Sequence, residues 1–187
     1  MEASFHHREA LKIQIREAYG RVVYSYTTHL KMMNRLVSKN TKIHYIQIIL
    51  SAISTGGFIG AIITNEAVLT CVGGLFSTIL LAVNLFFKEF NLLAEINQHR
   101  EASDELWMVR EDYISLLTDF EILNKTEIME RRNSLQKRTY EIYKKGPKTD
   151  KKSYALARKA LKADDEQFFT SDELDKILPE HLRVNKI

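Results

Sequence analysis

Histidine is the residue type in this chain most able to bind a metal or to transfer a proton, and the sequence holds six of them. His6 and His7 are adjacent near the amino end, whereas the other four are far apart. No His-Glu-x-x-His pair, which places two metal ligands on one helix face, is present. The single cysteine excludes a cysteine-based zinc site. We therefore expect no metal site.

Motifs for phosphate binding and nucleophilic catalysis are also missing. The sequence has no P-loop and no Gly-x-Ser-x-Gly motif, and the pair Gly73-Gly74 lies inside an apolar stretch. After residue 87, 19 basic residues face 20 acidic ones, which is unlike a nucleic-acid-binding surface. We expect no catalytic residues, no cofactor, no enzymatic activity and no nucleic-acid partner.

A stripe of polar residues is the constellation that remains. Its members recur at spacings of three and four, so they share one helix face: His44, Gln47, Ser51, Ser54 and Thr55. Polar groups are unfavourable against lipid, so this face should meet protein or water. Taken alone, the stripe favours helix packing, because Ser and Thr often join membrane helices. The alternative is that it lines an aqueous pore formed by several copies, together with Asn84 and a ring of Glu66.

These polar residues lie in an apolar block. From Ile43 to Phe87, the only Lys, Arg, Asp or Glu is Glu66. About 20 apolar residues suffice for a helix to cross the roughly 30 Å of hydrocarbon in a bilayer. Residues 43–64 and 67–87 are therefore predicted to be two membrane spans in a tight hairpin. A chain of 187 residues is too short to bury both helices on all sides in a soluble core.

Flanking charges predict the orientation of this hairpin. Residues 1–42 hold eight Lys or Arg and three acids, and Lys88 follows the second span. Basic residues remain on the cytoplasmic side, so both termini are predicted to be cytoplasmic.

Small residues indicate where the spans pack, since they let helix backbones approach closely. The candidates for helix packing are Ala52, Gly56 and Gly60 in the first span and Gly73, Gly74 and Ser77 in the second.

Helical spacing continues outside the membrane. Residues 1–42 are predicted to form one amphipathic helix that runs into the first span, and a second helix should run from the second span to near Asn124. Their apolar stripes should pack as in a coiled coil: Leu11, Ile15, Ala18, Val22, Tyr26, Leu30, Met33 and Val37 against Leu92, Ile96, His99, Ala102, Leu106, Val109, Tyr113, Leu117 and Phe120.

Shorter helices are predicted in the remainder of the chain. Residues 88–145 should hold the second long helix and a third helix from Thr126 to Lys145. Residues 146–187 should contain a linker, a helix from Lys152 to Ala163, and another after a capping box at Thr170. The predicted fold class is all-α: a transmembrane hairpin that continues into long antiparallel cytoplasmic helices, with short C-terminal helices.

Four stretches resemble the SLATT domain family, the two-transmembrane effector domain that associates with SMODS nucleotide synthases and SLOG sensors. They are Tyr26 to Asn40, Ser51 to Gly56, Asn97 to Tyr113, and the tail from Lys152 to Leu182. The resemblance implies a homo-oligomeric effector of a bacterial anti-phage system that permeabilises the membrane when a nucleotide-synthase or sensor partner triggers it. The alternative is a non-conducting scaffold that the spans merely anchor.

Overall fold

A computed structural model describes residues 2–64, 67–89 and 91–183 of the protein, with side chains placed for 6–64, 67–88 and 91–183. These residues form helices and contain no strand, which confirms the all-α fold class. The helices are α1 (Glu2–Thr64), α2 (Ala67–Glu89), α3 (Leu92–Thr118), α4 (Lys125–Lys145), α5 (Lys151–Lys162) and α6 (Ser171–Ile177), followed by a 3-10 turn at Glu180–Leu182.

The first helix is continuous from the amino end to the tip of the hairpin. It spans 63 residues, or about 95 Å at 1.5 Å per residue. It contains no proline, and Gly20 is its only glycine before residue 56, so nothing in the sequence interrupts the hydrogen-bond ladder. The predicted single helix that runs into the first span is confirmed.

The second long helix is interrupted, and the prediction of one continuous helix to near Asn124 is wrong. α2 ends at Glu89, and Asn91 caps a new helix by accepting a 3.1 Å hydrogen bond from the backbone N–H of Ala94. An Asn side chain competes with the backbone for such bonds, which favours a helix start over a helix interior. α3 then ends at Thr118, and a short turn leads to α4.

Antiparallel packing of α1 and α3 forms the core of the helical body, which we define as residues 6–42 and 91–183. Burial differs from the predicted stripes at several positions: Leu36 is buried in place of Val37, Leu116 is more deeply buried than Leu117, and residues 27–29 are buried beside the stripe of α1. α4 adds a third side to this core. The buried cluster contains Leu11, Ile15, Ala18, Val22, Ala102, Leu106, Val109, Tyr113, Leu116, Phe120, Ile128, Leu135 and Ile142.

Side-chain caps define the starts of the later helices. Asn124 and Glu127 form a capping box at α4, and Thr170 and Glu173 form another at α6. The Asp150 side chain accepts from the backbone N–H of Ser153 at the start of α5. Each cap satisfies amide groups that the first helical turn leaves free, so these boundaries are set locally by the sequence.

Polar contacts fix α5 and the segment after it against the middle of α1. Arg35 donates to both carboxylate oxygens of Asp150, at 2.7 and 2.6 Å, and to the hydroxyl of Ser153. These hydrogen bonds hold the pKa of the Asp150 carboxyl well below its usual range. Farther along, Lys31 contacts Glu166 at 2.7 Å.

The end of the body farthest from the hairpin is closed by basic residues of α1. Arg8 donates to the backbone carbonyls of Phe120 and Leu123, and Lys12 contacts Glu121 at 2.6 Å. Both cations also lie over the Phe120 ring, 5.0 and 5.4 Å from its centroid. The turn between α3 and α4 is thereby held against the first helix.

Two isoleucines near the start of α4 offer a test of this core. Ile128 is fully buried, whereas Ile122 is 84% exposed. Ile128→Ala should lower the free energy of unfolding by about 2–5 kcal/mol, because it removes buried methyl groups and leaves a cavity. Ile122→Ala should change it by less than about 0.5 kcal/mol. Thermal unfolding of the full chain in a neutral detergent, followed by circular dichroism, compares the two; equal losses would contradict the described core.

Candidate functional site

The two apolar helices expose their side chains to the surroundings. Both are long and apolar enough to cross a membrane, and only 6% of the most apolar 18-residue window of each is buried within the chain. Ile62, for example, is 83% exposed. The core helix of a soluble protein would have these faces covered, so the exposure matches helices that are surrounded by lipid.

Close backbone contact joins the two spans at Gly57 and Gly73. A Cβ built on Gly57 would lie 3.0 Å from the Gly73 Cα and 3.2 Å from the Leu69 carbonyl oxygen. The Ser54 hydroxyl donates to the Gly73 carbonyl across the same contact, at 3.1 Å. Only glycine lets the helices approach this closely, and the hydroxyl adds a hydrogen bond within the interface.

An open groove of about 640 Å³ follows one side of this contact. At its membrane-entry end, the Gln47 side-chain amide donates to the Asn84 carbonyl oxygen at 2.9 Å. Five of the predicted pore-lining residues border the groove, together with two of the predicted packing residues: His44, Gln47, Ser51, Thr55 and Asn84, with Ala52 and Gly56. Ile48 and Leu80 complete the lining, so the groove presents a mixed polar and apolar wall on the outside of the hairpin.

The remaining predicted residues lie elsewhere. Ser54 faces the second span and is buried, because its hydroxyl bonds to the Gly73 carbonyl. Gly60 contacts the Leu69 side chain, whereas Gly74 has open space around its Cα and Ser77 is exposed. Glu66 lies outside the described residues.

Gly57 is the interface residue that the sequence reasoning missed. Gly56 was chosen because it is four residues from both Ala52 and Gly60, yet a Cβ on Gly56 would meet no atom within 4 Å. Neighbouring residues on a helix point about 100° apart, so small-residue spacing alone did not identify the glycine that faces the partner helix. The seven-residue spacing of Ile43 and Leu50 to Gly57 is the signal that points to the correct face.

A buried histidine pair joins α1 and α3 in the helical body. The Nδ1 atoms of His29 and His99 are 2.9 Å apart, and the two residues are 6% and 0% exposed. Burial lowers the pKa of His29 to about 4, and His99 contributes to the decrease. Burial also lowers the pKa of His99, against the opposing effect of the Glu95 and Asp150 carboxylates. Both rings are therefore neutral at pH 7, and one Nδ1–H donates to the other Nδ1.

Among the described residues, further metal-ligand side chains do not join this pair. Within the side chains that the structure places, no group of three or more His, Cys, Asp or Glu converges.

An all-α chain with two exposed apolar helices in a hairpin and a long helical body defines the class of two-transmembrane helical proteins. Within that class, residues 11–173 match the model of SMODS and SLOG-associating 2TM effector domain family 4, and the chain belongs to this family. The suspected family is thus confirmed. Its domain is a two-transmembrane effector domain associated with SMODS and SLOG conflict systems, which places the protein in a membrane.

Neither a curated protein nor a solved structure matches the chain.

Adjacent glycines test the contact between the spans. Gly57→Ala should destabilise the hairpin by about 1–3 kcal/mol relative to Gly56→Ala, because only the first Cβ collides with backbone. Both changes give the same gain in helix propensity, so the difference isolates packing. Titration of the full chain with sodium dodecyl sulfate, followed by circular dichroism, measures it. Equal midpoints for the two variants would contradict the described contact.

Protonation tests the histidine pair. The unfolded chain takes up a proton on His29 near pH 6.5, whereas the folded chain does so only near pH 4, so folding should weaken as the pH falls through this window. At pH 5 the loss is on the order of 2 kcal/mol for His29. Melting temperatures at pH 7 and pH 5 should therefore differ.

Variants assign that difference to the pair. His29→Asn retains a group near the Nδ1 position and does not titrate, so its melting temperature should fall less between pH 7 and pH 5. His181→Asn, at an exposed site, should behave as the wild type does. A decrease of the same size in His29→Asn would refute the assignment.

Proposed function

We propose that this protein is the membrane effector of a bacterial anti-phage system, in which several copies assemble and form a pore that permeabilises the inner membrane. Its action is physical rather than enzymatic. Family membership supports the link to conflict systems, and the row of polar side chains along the open groove supports pore formation.

The observation that carries this proposal is that two hydroxyls in the groove have no hydrogen-bond partner within the described part of the chain. Thr64 and Thr78 satisfy their hydroxyls by donating to the carbonyl four residues earlier, at 2.9 Å in each case. The hydroxyls of Ser51 and Thr55 make no hydrogen bond within the part of the chain that the structure describes. A hydroxyl left in hydrocarbon is costly, so these two groups favour water or another protein chain as their neighbour.

A second copy of the chain is the simplest neighbour. Two spans are too few to enclose a pore alone, so conduction requires a homo-oligomer. In a ring of copies, each groove would face either the central pore or the adjacent hairpin. Ala52 and Gly56 form the narrow side of the groove and would let a neighbouring helix approach. His44 and the bonded Gln47 and Asn84 would lie at one end of the pore, and Glu66 would lie near the other.

Topology and partners complete the proposal. The basic residues of 1–42 and Lys88 favour both termini in the cytoplasm, where the helical body would meet a signal. The family name records association with SMODS and SLOG proteins, so the trigger we propose comes from a nucleotide synthase or a sensor protein. The basic stretch that leads into the first span lies next to lipid headgroups.

A non-conducting scaffold is the second candidate. The bonded pair of Gln47 and Asn84 favours it, because that contact satisfies two polar groups of the groove within a single chain. In that case the hairpin only anchors the body, and the body recruits a partner.

Dye release from vesicles tests the pore. The full chain, reconstituted in phosphatidylethanolamine–phosphatidylglycerol vesicles at high protein density, should release a trapped fluorophore. Thr55→Leu should reduce the release at least several-fold, because it replaces a water-contacting hydroxyl with an apolar side chain. Thr78→Leu is the matched control: Thr78 is also exposed in a span but lies outside the groove, and its release should equal that of the wild type.

The outcomes separate the candidate functions. Equal release from the two variants would contradict the role of the groove as the pore lining. No release from the wild type at any density, with partner recruitment intact in cells, would support the scaffold.

A further inference from the structure

A second cavity lies in the helical body, well away from the groove. It has a volume of about 430 Å³ and lies between α1, the end of α4, the loop of residues 146–149 and the start of α5. This volume falls in the range of sites for small molecules. Gly146 shapes its wall, because a Cβ at that position would lie 2.9 Å from the Ile142 carbonyl oxygen.

Among the described residues, the cavity is lined by a cation and by hydroxyls rather than by carboxylates. No acidic residue lines the cavity among the residues that the structure describes, whereas Lys148 does. The hydroxyls of Ser25 and Tyr143, 2.8 Å apart, also border it, whereas the Thr28 hydroxyl donates to the Tyr24 carbonyl at 2.6 Å. Cations and hydroxyls without a carboxylate are the groups that bind an anion.

His29 contributes a further donor to this cavity. Its ring lines the wall while its Nδ1 is engaged with His99. The Nε2 of His99 is buried and has no partner in the structure. A buried N–H without a partner is rarer than a buried acceptor without one, so the proton is best placed on the Nδ1 of His99. His29 then accepts at Nδ1 and keeps its proton on Nε2, the nitrogen that remains for the cavity.

The segment that carries Lys148 is basic. Residues 144–152 contain five lysines and one acid, Asp150, whose carboxylate is bonded to Arg35. The rings of Tyr24 and Tyr154, which both line the cavity, stack with centroids 6.0 Å apart. A soluble anion would be attracted to this basic segment.

Distance argues against a lipid as the source of the anion. His29 lies 14 residues before Ile43, the first residue of the apolar block, which is about 21 Å along the helix. The headgroup layer on each side of the hydrocarbon is only about 5–8 Å thick. A phosphate that reaches the cavity must therefore belong to a soluble molecule.

We propose that this cavity is a binding site for a small, soluble, phosphate-bearing molecule. Lys148 provides the charge, the His29 Nε2–H and the hydroxyl pair of Ser25 and Tyr143 provide directed hydrogen bonds, and α1, α4 and α5 hold them in place. The site does not rest on pore formation, since binding is measured on the protein in detergent without a membrane.

Calorimetry with three probes tests the site. The full chain in a neutral detergent is titrated with inorganic phosphate, ribose 5-phosphate and uncharged ribose. Inorganic phosphate and ribose 5-phosphate should bind, and ribose should not. Phosphatidylglycerol added to the micelles should not weaken the binding of ribose 5-phosphate. Competition by this lipid would contradict the proposal that the ligand is a soluble molecule.

Paired lysines provide the control for charge. Lys148→Gln should weaken ribose 5-phosphate about tenfold, the loss expected when a charge-assisted hydrogen bond is removed. Lys151→Gln makes the same charge change on the same segment, but Lys151 lies outside the cavity lining. The affinity of this variant for ribose 5-phosphate should therefore stay within about twofold of the wild-type affinity. Equal losses in the two variants, or no binding of either phosphorylated probe to the wild type, would overturn the proposal.

A histidine variant distinguishes directed bonding from charge alone. His29→Asn keeps a group for His99 and loses the donor that faces the cavity, so it should also weaken ribose 5-phosphate. Because this residue is buried, the melting temperature at pH 7 shows whether the variant is folded. If the His29→Asn protein is folded and binds ribose 5-phosphate with wild-type affinity, His29 donates no hydrogen bond to the ligand, and the proposed site is contradicted.

Discussion

The continuity of α1 is the constraint on which the rest of the structure depends. One uninterrupted helix supplies the first membrane span and one side of the helical body. It packs against α2 in the hairpin and against α3, α4 and α5 in the body. Each of these helices is therefore positioned relative to the same rod, and the groove and the cavity are two places along one helix.

The second half of the hairpin consists of two helices rather than one. α2 and α3 are separate helices, and Asn91 caps the second of them. α1 therefore joins the first span to the body through one helix, and the Ser54 and Gly57 contact against Gly73 lies on the same helix as His29 and Arg35.

Much of the fold was predictable, because it depends on local or periodic properties. Apolar length predicted the two spans, and the capping residues Asn124 and Thr170 predicted helix starts that the structure contains. The helix start at Asn91 was not foreseen, because the apolar stripe continues past it and periodicity does not detect one capping residue.

The candidate sites were less predictable, since they depend on contacts between distant residues. His99 was expected on the packing stripe of the second long helix, but its hydrogen-bond partner, His29, lies beside the predicted stripe of α1 rather than on it. Likewise Ser54 and Ser51 belong to one polar stripe in the sequence, and only the position of the second span separates a buried serine from one that borders the groove. The cavity beside Lys148 has no sequence motif at all, because three helices and a loop assemble it.

The unbroken first helix also governs which changes in chain length the protein can accept. Insertion of one residue between the body and the span would turn the groove by about 100° relative to α3 and shift it by about 1.5 Å. An insertion of seven residues would leave a rotation of only about 20°, so viable length variants of this segment would come in steps of roughly two helical turns. The turn after Thr118 and the segment between α5 and α6 carry no such phase relationship, and loops of those kinds accept single insertions. The helical phase of α1 therefore restricts which insertions and deletions this domain can accept between its body and its first span.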